Sequence, residues 1–281
     1  MKKIGILYIC TGPYVVFWNA FYESFEQHFL PETEKHYFVF TDAKELYAAN
    51  HNERIHLIMV EQEPWPLPTL LKYHMFLKQE KQLLEMDYLY QSNANIICEK
   101  TVTEDMFLPQ EKDRPLFFTI HPGYQNEKTY RLPYERRKIS KAYVPYNAGK
   151  QYVYGAMNGG TATAYLEMIK QVEKQIEEDL KKGIIAKWHD ESHINHYAAG
   201  HHNYKTLSPA FCYPVGMEVP CEPLIRGVSK KEQFDVDALK GAQNLKRKKL
   251  RVVLGKWKQR LCIRERAAWL RDSIMRKKIS S

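Results

Sequence analysis

"IGILYICTGPY" (4–14) decides how the rest of the chain is read. Its first six residues are apolar and β-rich, and they end at Thr11-Gly12-Pro13. A short apolar run closed by a Gly-Pro turn is the pattern of a buried strand. A basic start followed by apolar residues also opens a secretory signal, but this run is short and no small-residue cleavage site follows it. Downstream, "FWNAFYESFEQHFL" (17–30) places Phe17, Phe21, Phe25 and Phe29 at helical spacing, with polar residues between them. "HYFVFTD" (36–42) and "IHLIMV" (55–60) read as further strands. "TLLKYHMFLKQEKQLLEM" (69–86) reads as one long helix with Leu70, Tyr73, Leu77 and Leu84 on one side. "DYLYQSNANII" (87–97) is a strand that runs into a polar tip, Asn93-Ala94-Asn95. Strands alternating with helices predict an α/β fold around a mainly parallel sheet. In such sheets ligands bind beyond the carboxyl ends of the strands.

The second half adds "PLFFTIHPGY" (115–124), a strand leading into a Pro-Gly turn. "YRLPYERRKISKAYVP" (130–145) is basic and aromatic without a clear period, and reads as a long loop with the composition of a mobile one. In 151–180 a strand and a glycine pair lead into a long helix, with Thr161 or Thr163 as its cap. No internal repeat is present.

With 281 residues, 44% of them hydrophobic and 27% charged, the chain can bury a substantial core. No run of about 18 apolar residues predicts a membrane-spanning helix. The five cysteines are widely spaced and include no C-x-x-C, which argues against a disulfide framework or structural zinc and fits a reducing compartment. The net charge of +9 is unevenly distributed. From Lys240 onward fifteen Lys or Arg face only Glu265 and Asp272, a local balance of +13 that leaves the first 239 residues at −4. Leu250, Leu254, Trp257, Leu261 and Ala268 follow helical spacing among those cations. The expected organisation is therefore a folded domain over 1–239 and a basic amphipathic helical tail over 240–281. Such a tail, with Trp257 and Trp269 interleaved, suits an anionic membrane surface better than nucleic acid, for which the acidic body offers no basic face.

The stretch "KWHDESHINHY" (187–197) holds three histidines and two carboxylates. His189 and His193 stand at i and i+4, as in H-E-x-x-H, but Asp190 occupies the glutamate position and no third ligand is apparent, so a zinc hydrolase is the weaker reading. A helix start is the plain one, with Asp190 or Ser192 as cap and Glu191 favoured by the helix dipole. Trp188 beside Asp190 and Glu191 also suits a sugar, the indole packing on C–H faces while the carboxylates accept from hydroxyls. "SNANII" puts two neutral amides where paired carboxylates would hold a divalent cation. Gly155, Gly159 and Gly160 permit close approach to the backbone, without forming a dinucleotide fingerprint.

Together "ILYICTGPYVVF", "YFVFTD", "HPGY", "YERRKISKAYVP", "YVYGAMNGG", "KWHDESHINHY" and "TLSP" resemble glycosyltransferase family six, which includes histo-blood-group A and B transferases, mammalian α-1,3-galactosyltransferase and bacterial members. The resemblance runs from Ile4 to about Lys231. It implies a GT-A fold, Rossmann-like, with a single mixed, mainly parallel sheet flanked by helices. It also implies a UDP-sugar donor and a retaining α-1,3 transfer of galactose or N-acetylgalactosamine to a terminal galactoside glycan, with or without α-1,2-fucose and lipid-linked or free. By the same resemblance Ile9, Cys10, Thr11 and Tyr14 line the uridine site, and Lys72 stands where an arginine usually meets the donor. Asn93 and Asn95 replace the metal-binding Asp-x-Asp, as in bacterial members that work without metal. No divalent cofactor is therefore expected, and Lys72, Arg226, Lys230 and Lys231 are the candidate cations for the diphosphate. His121 and Trp188 match acceptor contacts, Asp190 a sugar-hydroxyl ligand, and Glu191 the catalytic carboxylate. Tyr154 and Ala156, flanking Gly155, match positions that face the sugar's C2 substituent; the Ala156 methyl leans the donor towards UDP-galactose. Mammalian members carry an N-terminal anchor; none is expected here, and the tail is expected to hold a cytoplasmic enzyme at the inner membrane face. The rival reading is a non-catalytic sugar-binding protein on the same fold; an inverting enzyme on a similar sheet is a further one.

Overall fold

The structure is a computed structural model that describes residues 1–239. The basic tail lies outside the described residues, and so does its expected helix.

Strand β1 (Lys3–Cys10) is buried along nearly its whole length. Its side chains alternate between two cores. Ile4, Ile6 and Tyr8 enter one, shared with α1 (Trp18–His28), while Leu7 enters the other. That is why the segment is apolar at every position rather than at every second one. Strands β2 (Glu34–Thr41) and β3 (Ile55–Met59) add in parallel on one side, and β4 (Tyr88–Ser92) adds in parallel on the other. Strand β6 (Leu116–Ile120) and strand β7 (Val153–Thr161) complete the centre, and β8 (Tyr204–Leu207) closes the edge. The seven-stranded order is β3-β2-β1-β4-β7-β6-β8, with β7 antiparallel to both neighbours. The sheet is thus mixed and mainly parallel, but it is not single. Strand β5 (Ile96–Cys98) and strand β9 (Ile225–Gly227) form a separate two-stranded sheet.

The expected long helix over 69–86 is instead three short ones, α2 (Leu67–Leu70), α3 (Lys72–Leu77) and α4 (Glu80–Leu83). Past Phe76 several amides bond three residues back, Gln79 to Phe76 and Gln82 to Gln79 among them. Three-residue turns overwind the chain and shift the inward face. Leu83 is therefore buried and Leu84 exposed.

A short helix, α5 (Glu104–Phe107), buries Phe107 against Phe29, the residue that follows α1. Helix α6 (Ala162–Lys181) lies on the face of the sheet opposite α1 and is joined there by α7 (Asp190–Gly200). Thr161 holds the N-cap position of α6 as expected, without a side-chain cap bond. Helix α8 (Val236–Leu239) is the last element described.

The 130–145 segment is irregular, as expected, but it is tied down. Leu132, Tyr134, Val144 and Tyr152 form a third apolar cluster beneath it. Asp179 of α6 accepts from Ser140 Oγ at 2.5 Å and from the Lys141 amide at 2.8 Å. Buried Glu135 takes Arg137 at 2.6 Å and the Lys187 amide at 2.8 Å. Burial opposes ionisation of Glu135, but these donors outweigh it and hold its carboxyl below the ordinary value. Aperiodic composition could not show that its polar groups have fixed partners.

Candidate active site

Because β7 runs against β4, its first residues lie at the same sheet edge as the carboxyl ends of β1 and β4; Gln91 pairs with Asn158, and Tyr88 with Thr161. Helix α7 starts at this edge. His189, at its N-cap position, has φ +52° and packs edge-on to Trp65 with ring centroids 5.1 Å apart. Positive φ is uncommon for a side-chain-bearing residue, and such backbone gathers at functional sites. It turns Asp190 and Glu191 inward. Neither Asp190 nor Ser192 caps the helix; Ser192 Oγ instead accepts from the Trp188 amide at 2.9 Å.

Glu191 is held at both oxygens. Oε1 accepts from Tyr152 Oη at 2.9 Å and Oε2 from the Gly155 amide at 2.9 Å. Burial raises its pKa to about 7, and the two hydrogen bonds and Lys72 only partly counter this. The carboxyl group nevertheless belongs to a residue that keeps some open surface. Asp190 pairs with Lys72 at 2.5 Å, with the two residues 7% and 6% exposed. Lys72 also donates to the Gly155 carbonyl at 3.1 Å. Gly155 therefore donates to Glu191 through its amide and accepts from Lys72, the partner of Asp190, through its carbonyl. A Cβ there would lie 2.6 Å from Glu191 Cβ, so only glycine fits. Gly159 and Gly160 are likewise pressed against Leu89 O and Pro115 O. All three glycines make room for the protein's own packing, not for a ligand.

Two cavities meet at this edge. The first, about 470 Å³, is lined by Ile9, Thr11, Tyr14, Lys72, Asn93, Asn95 and Lys230, with Gln62, Glu63, Trp65 and Gln91 among the others. The second, about 540 Å³, is lined by His121, Tyr154, Met217, Lys231 and again Asn93, Asn95 and Lys230. Two clefts that share three polar residues can hold two substrates side by side. His121 accepts from the Gly123 amide at Nδ1, 3.1 Å away, and burial lowers its pKa to about 4. The ring is thus neutral, and its remaining proton sits on Nε2.

Residues 2–235 match the sequence profile described as Glycosyltransferase family 6. This chain belongs to glycosyltransferase family 6. It is 39% identical over 194 residues to the O-antigen biosynthesis glycosyltransferase WbnI of Escherichia coli, covering 69% of this chain and 81% of that one. It is 30% identical over 216 residues to Histo-blood group ABO system transferase 2 of Rattus norvegicus, covering 75% and 63%. Globoside alpha-1,3-N-acetylgalactosaminyltransferase 1 of Gallus gallus is 27% identical over the same length, covering 75% and 61%. The match thus spans somewhat under two thirds of the vertebrate relatives. As a family 6 glycosyltransferase, the protein takes a nucleotide-sugar donor and a glycan acceptor, and its mixed sheet flanked by helices is consistent with a GT-A-like fold.

In this transferase the residues singled out from sequence fall into four groups. Ile9, Thr11, Tyr14, Lys72, Asn93, Asn95 and Lys230 line the first cavity, and His121, Tyr154 and Lys231 line the second. Glu191, Asp190 and Gly155 form the wall between the sheet and α7. The rest stand aside. Cys10 is fully buried, and burial raises its thiol pKa to about 12. Ala156 is 8% exposed within the core rather than in the lining of either cavity. Trp188 is 45% exposed, with Lys187 over its ring. Arg226 is turned to Glu99 at 2.7 Å, so its charge is already met. The same holds for Lys72, whose ammonium is taken by Asp190. Sequence reasoning missed Tyr152, since nothing local separates its hydroxyl from that of Tyr154.

The histidines do not converge. His193 lies 3.7 Å from Asp179, and burial lowers its pKa to about 4, while His189 packs on Trp65. Nor does the Asn93-Ala94-Asn95 tip suit a divalent cation. Both side chains are uncharged, Asn93 Nδ2 donates to Tyr154 Oη at 3.0 Å, and Asn95 Nδ2 donates to the Val228 carbonyl at 2.7 Å. A hard cation bound to a diphosphate is held chiefly by carboxylate oxygens.

Proposed function

We propose that this family 6 enzyme is a retaining transferase that moves galactose or N-acetylgalactosamine from a UDP-sugar, in α-1,3 linkage, to a terminal galactoside, without a divalent metal. The observation that carries this reading is Glu191, a carboxylate fixed at both oxygens by Tyr152 and Gly155, which flank Val153 and Tyr154, the last of these in the lining of the second of two cavities that share Asn93, Asn95 and Lys230. The UDP-sugar occupies the first cavity and the galactoside the second. Glu191 faces the anomeric carbon, either as the nucleophile of a double displacement or as the counter-charge to an oxocarbenium-like centre. In both routes the C1–O bond to UDP breaks with its electron pair leaving on the diphosphate. In the double displacement Glu191 bonds C1 as UDP leaves, and the acceptor O3 then breaks that C1–Oε bond, returning its electron pair to the carboxylate; in the other route O3 bonds C1 directly. In each the O3 proton passes to the departing phosphate. Lys230 and Lys231 supply the positive charge that the neutral Asn pair does not.

UDP release from UDP-galactose and UDP-N-acetylgalactosamine, measured in EDTA with and without a fucosyl-α-1,2-galactoside, tests the reading beside Glu191→Ala. We expect acceptor-stimulated release that survives EDTA and falls on the order of a thousandfold in the variant, and the donor that releases UDP faster identifies the sugar. Release that requires added metal would overturn the metal-free part. Tight glycan binding without release from either donor would favour a non-catalytic sugar-binding protein.

A further inference from the structure

We infer that Gln91 reads a hydroxyl of the donor hexose and so helps to set donor specificity. This rests on the nucleotide-sugar reading above and deepens it.

Gln91 is 4% exposed, yet it lines the first cavity. Its side-chain carbonyl is fully enclosed and has no hydrogen-bond partner within the protein. A buried acceptor without a partner is disfavoured, and such groups are uncommon in folded proteins. Neighbouring polar groups are committed elsewhere. Asn158, which faces Gln91 across the β4–β7 pair, donates to Gly155 O and accepts from Tyr165 Oη. Ser92 Oγ donates to Asn93 O. Lys72 donates to Asp190 and to Gly155 O. The hydroxyl of Tyr73, also buried and without a partner, lines neither substrate cavity, whereas Gln91 does.

The position of Gln91 selects the part of the donor. Gln91 pairs with Leu7 across β1–β4 and so shares the face of Leu7 and Leu89, on which α3, α6 and α7 pack. That is the face of Lys72, Asp190 and Glu191. Tyr14 packs instead against the opposite core, with the Lys230 ammonium 5.1 Å from its ring centroid. If the anomeric carbon lies at Glu191, the hexose fills the end where Lys72 and Gln91 meet. A carbonyl oxygen there accepts from a hydroxyl, whereas a diphosphate offers it no proton. A site built around a substrate hydroxyl discriminates sharply against an analogue that lacks it.

Titration calorimetry of the full chain and of Gln91→Met with UDP, UDP-galactose and the monodeoxy UDP-galactoses tests this. Gln91→Met is expected to bind UDP within twofold of the parent chain and UDP-galactose roughly tenfold more weakly. The deficit should vanish for one monodeoxy donor, the one that lacks the hydroxyl read. The unaltered chain should itself bind that donor roughly tenfold more weakly, a readout that needs no variant to fold. Equal loss for UDP and UDP-galactose would show a merely structural role and overturn the inference. So would UDP-galactose binding that Gln91→Met leaves unchanged. If the unaltered chain binds UDP but no UDP-hexose, the donor reading itself falls and the inference falls with it.

Discussion

Glu191 illustrates how much at the residue scale depends on neighbours far along the chain. Its carboxyl group is unremarkable in sequence, but the fold surrounds it with Tyr152, Gly155 and Asp190 and brings its pKa to about 7. In the proposed mechanism the ionised form is the active one, so protonation below about pH 7 removes activity. The acid limb of kcat/KM for the free enzyme is therefore expected near pH 7. Tyr152 donates to the ionised carboxylate and so favours it. Tyr152→Phe removes that bond, raises the Glu191 pKa, and moves the acid limb to higher pH by about half to one unit. A profile that stays in place would separate Tyr152 from Glu191. Gly155→Ala tests the same contact sterically. The new Cβ, 2.6 Å from Glu191 Cβ, displaces the carboxylate, and kcat should fall by about a hundredfold in steady-state assays.

At the scale of elements, the sheet and the flanking helices were legible because periodicity reports burial. The continuous apolar run of β1 and the helical spacing of Phe21 and Phe25 are direct consequences of where those segments lie. The broken helix over 67–83 was not legible, because three-residue and four-residue turns use similar residues and differ in bonding. Nor was the anchoring of the 130–145 segment, whose polar groups meet α6 only after folding. Asp179 is its main attachment there. Asp179→Ala leaves the Ser140 hydroxyl and Lys141 amide without their acceptor. It should cost about 3 kcal/mol in urea unfolding and raise hydrogen exchange across residues 140–144. Unchanged protection there would mean that the apolar cluster under Tyr134 holds the segment alone.

At the scale of the whole molecule, charge is divided between an acidic body and a strongly basic tail. Among the described residues no helix is long and apolar enough to cross a membrane. We propose that the tail brings a cytoplasmic enzyme to the inner membrane face, where a lipid-linked galactoside would present itself. Each Lys or Arg near an anionic bilayer contributes about 1 kcal/mol. A chain ending at Leu239 should therefore lose sedimentation with phosphatidylglycerol vesicles while still releasing UDP with a soluble galactoside. Vesicle binding equal to that of the full chain would sink the role given to the tail.

The sequence by itself determined the layered α/β class, the polar Asn93-Ala94-Asn95 tip, the Trp188–Glu191 turn and the family, because local periodicity and short motifs encode these directly. Tertiary structure alone decided which of those residues meet. Strand β7 runs antiparallel beside β4 and carries Gly155 against Glu191, Lys72 is spent on Asp190, and Arg226 is drawn to Glu99. Each of these follows from pairing between segments tens of residues apart, where burial and charge choose partners that no short stretch of chain contains.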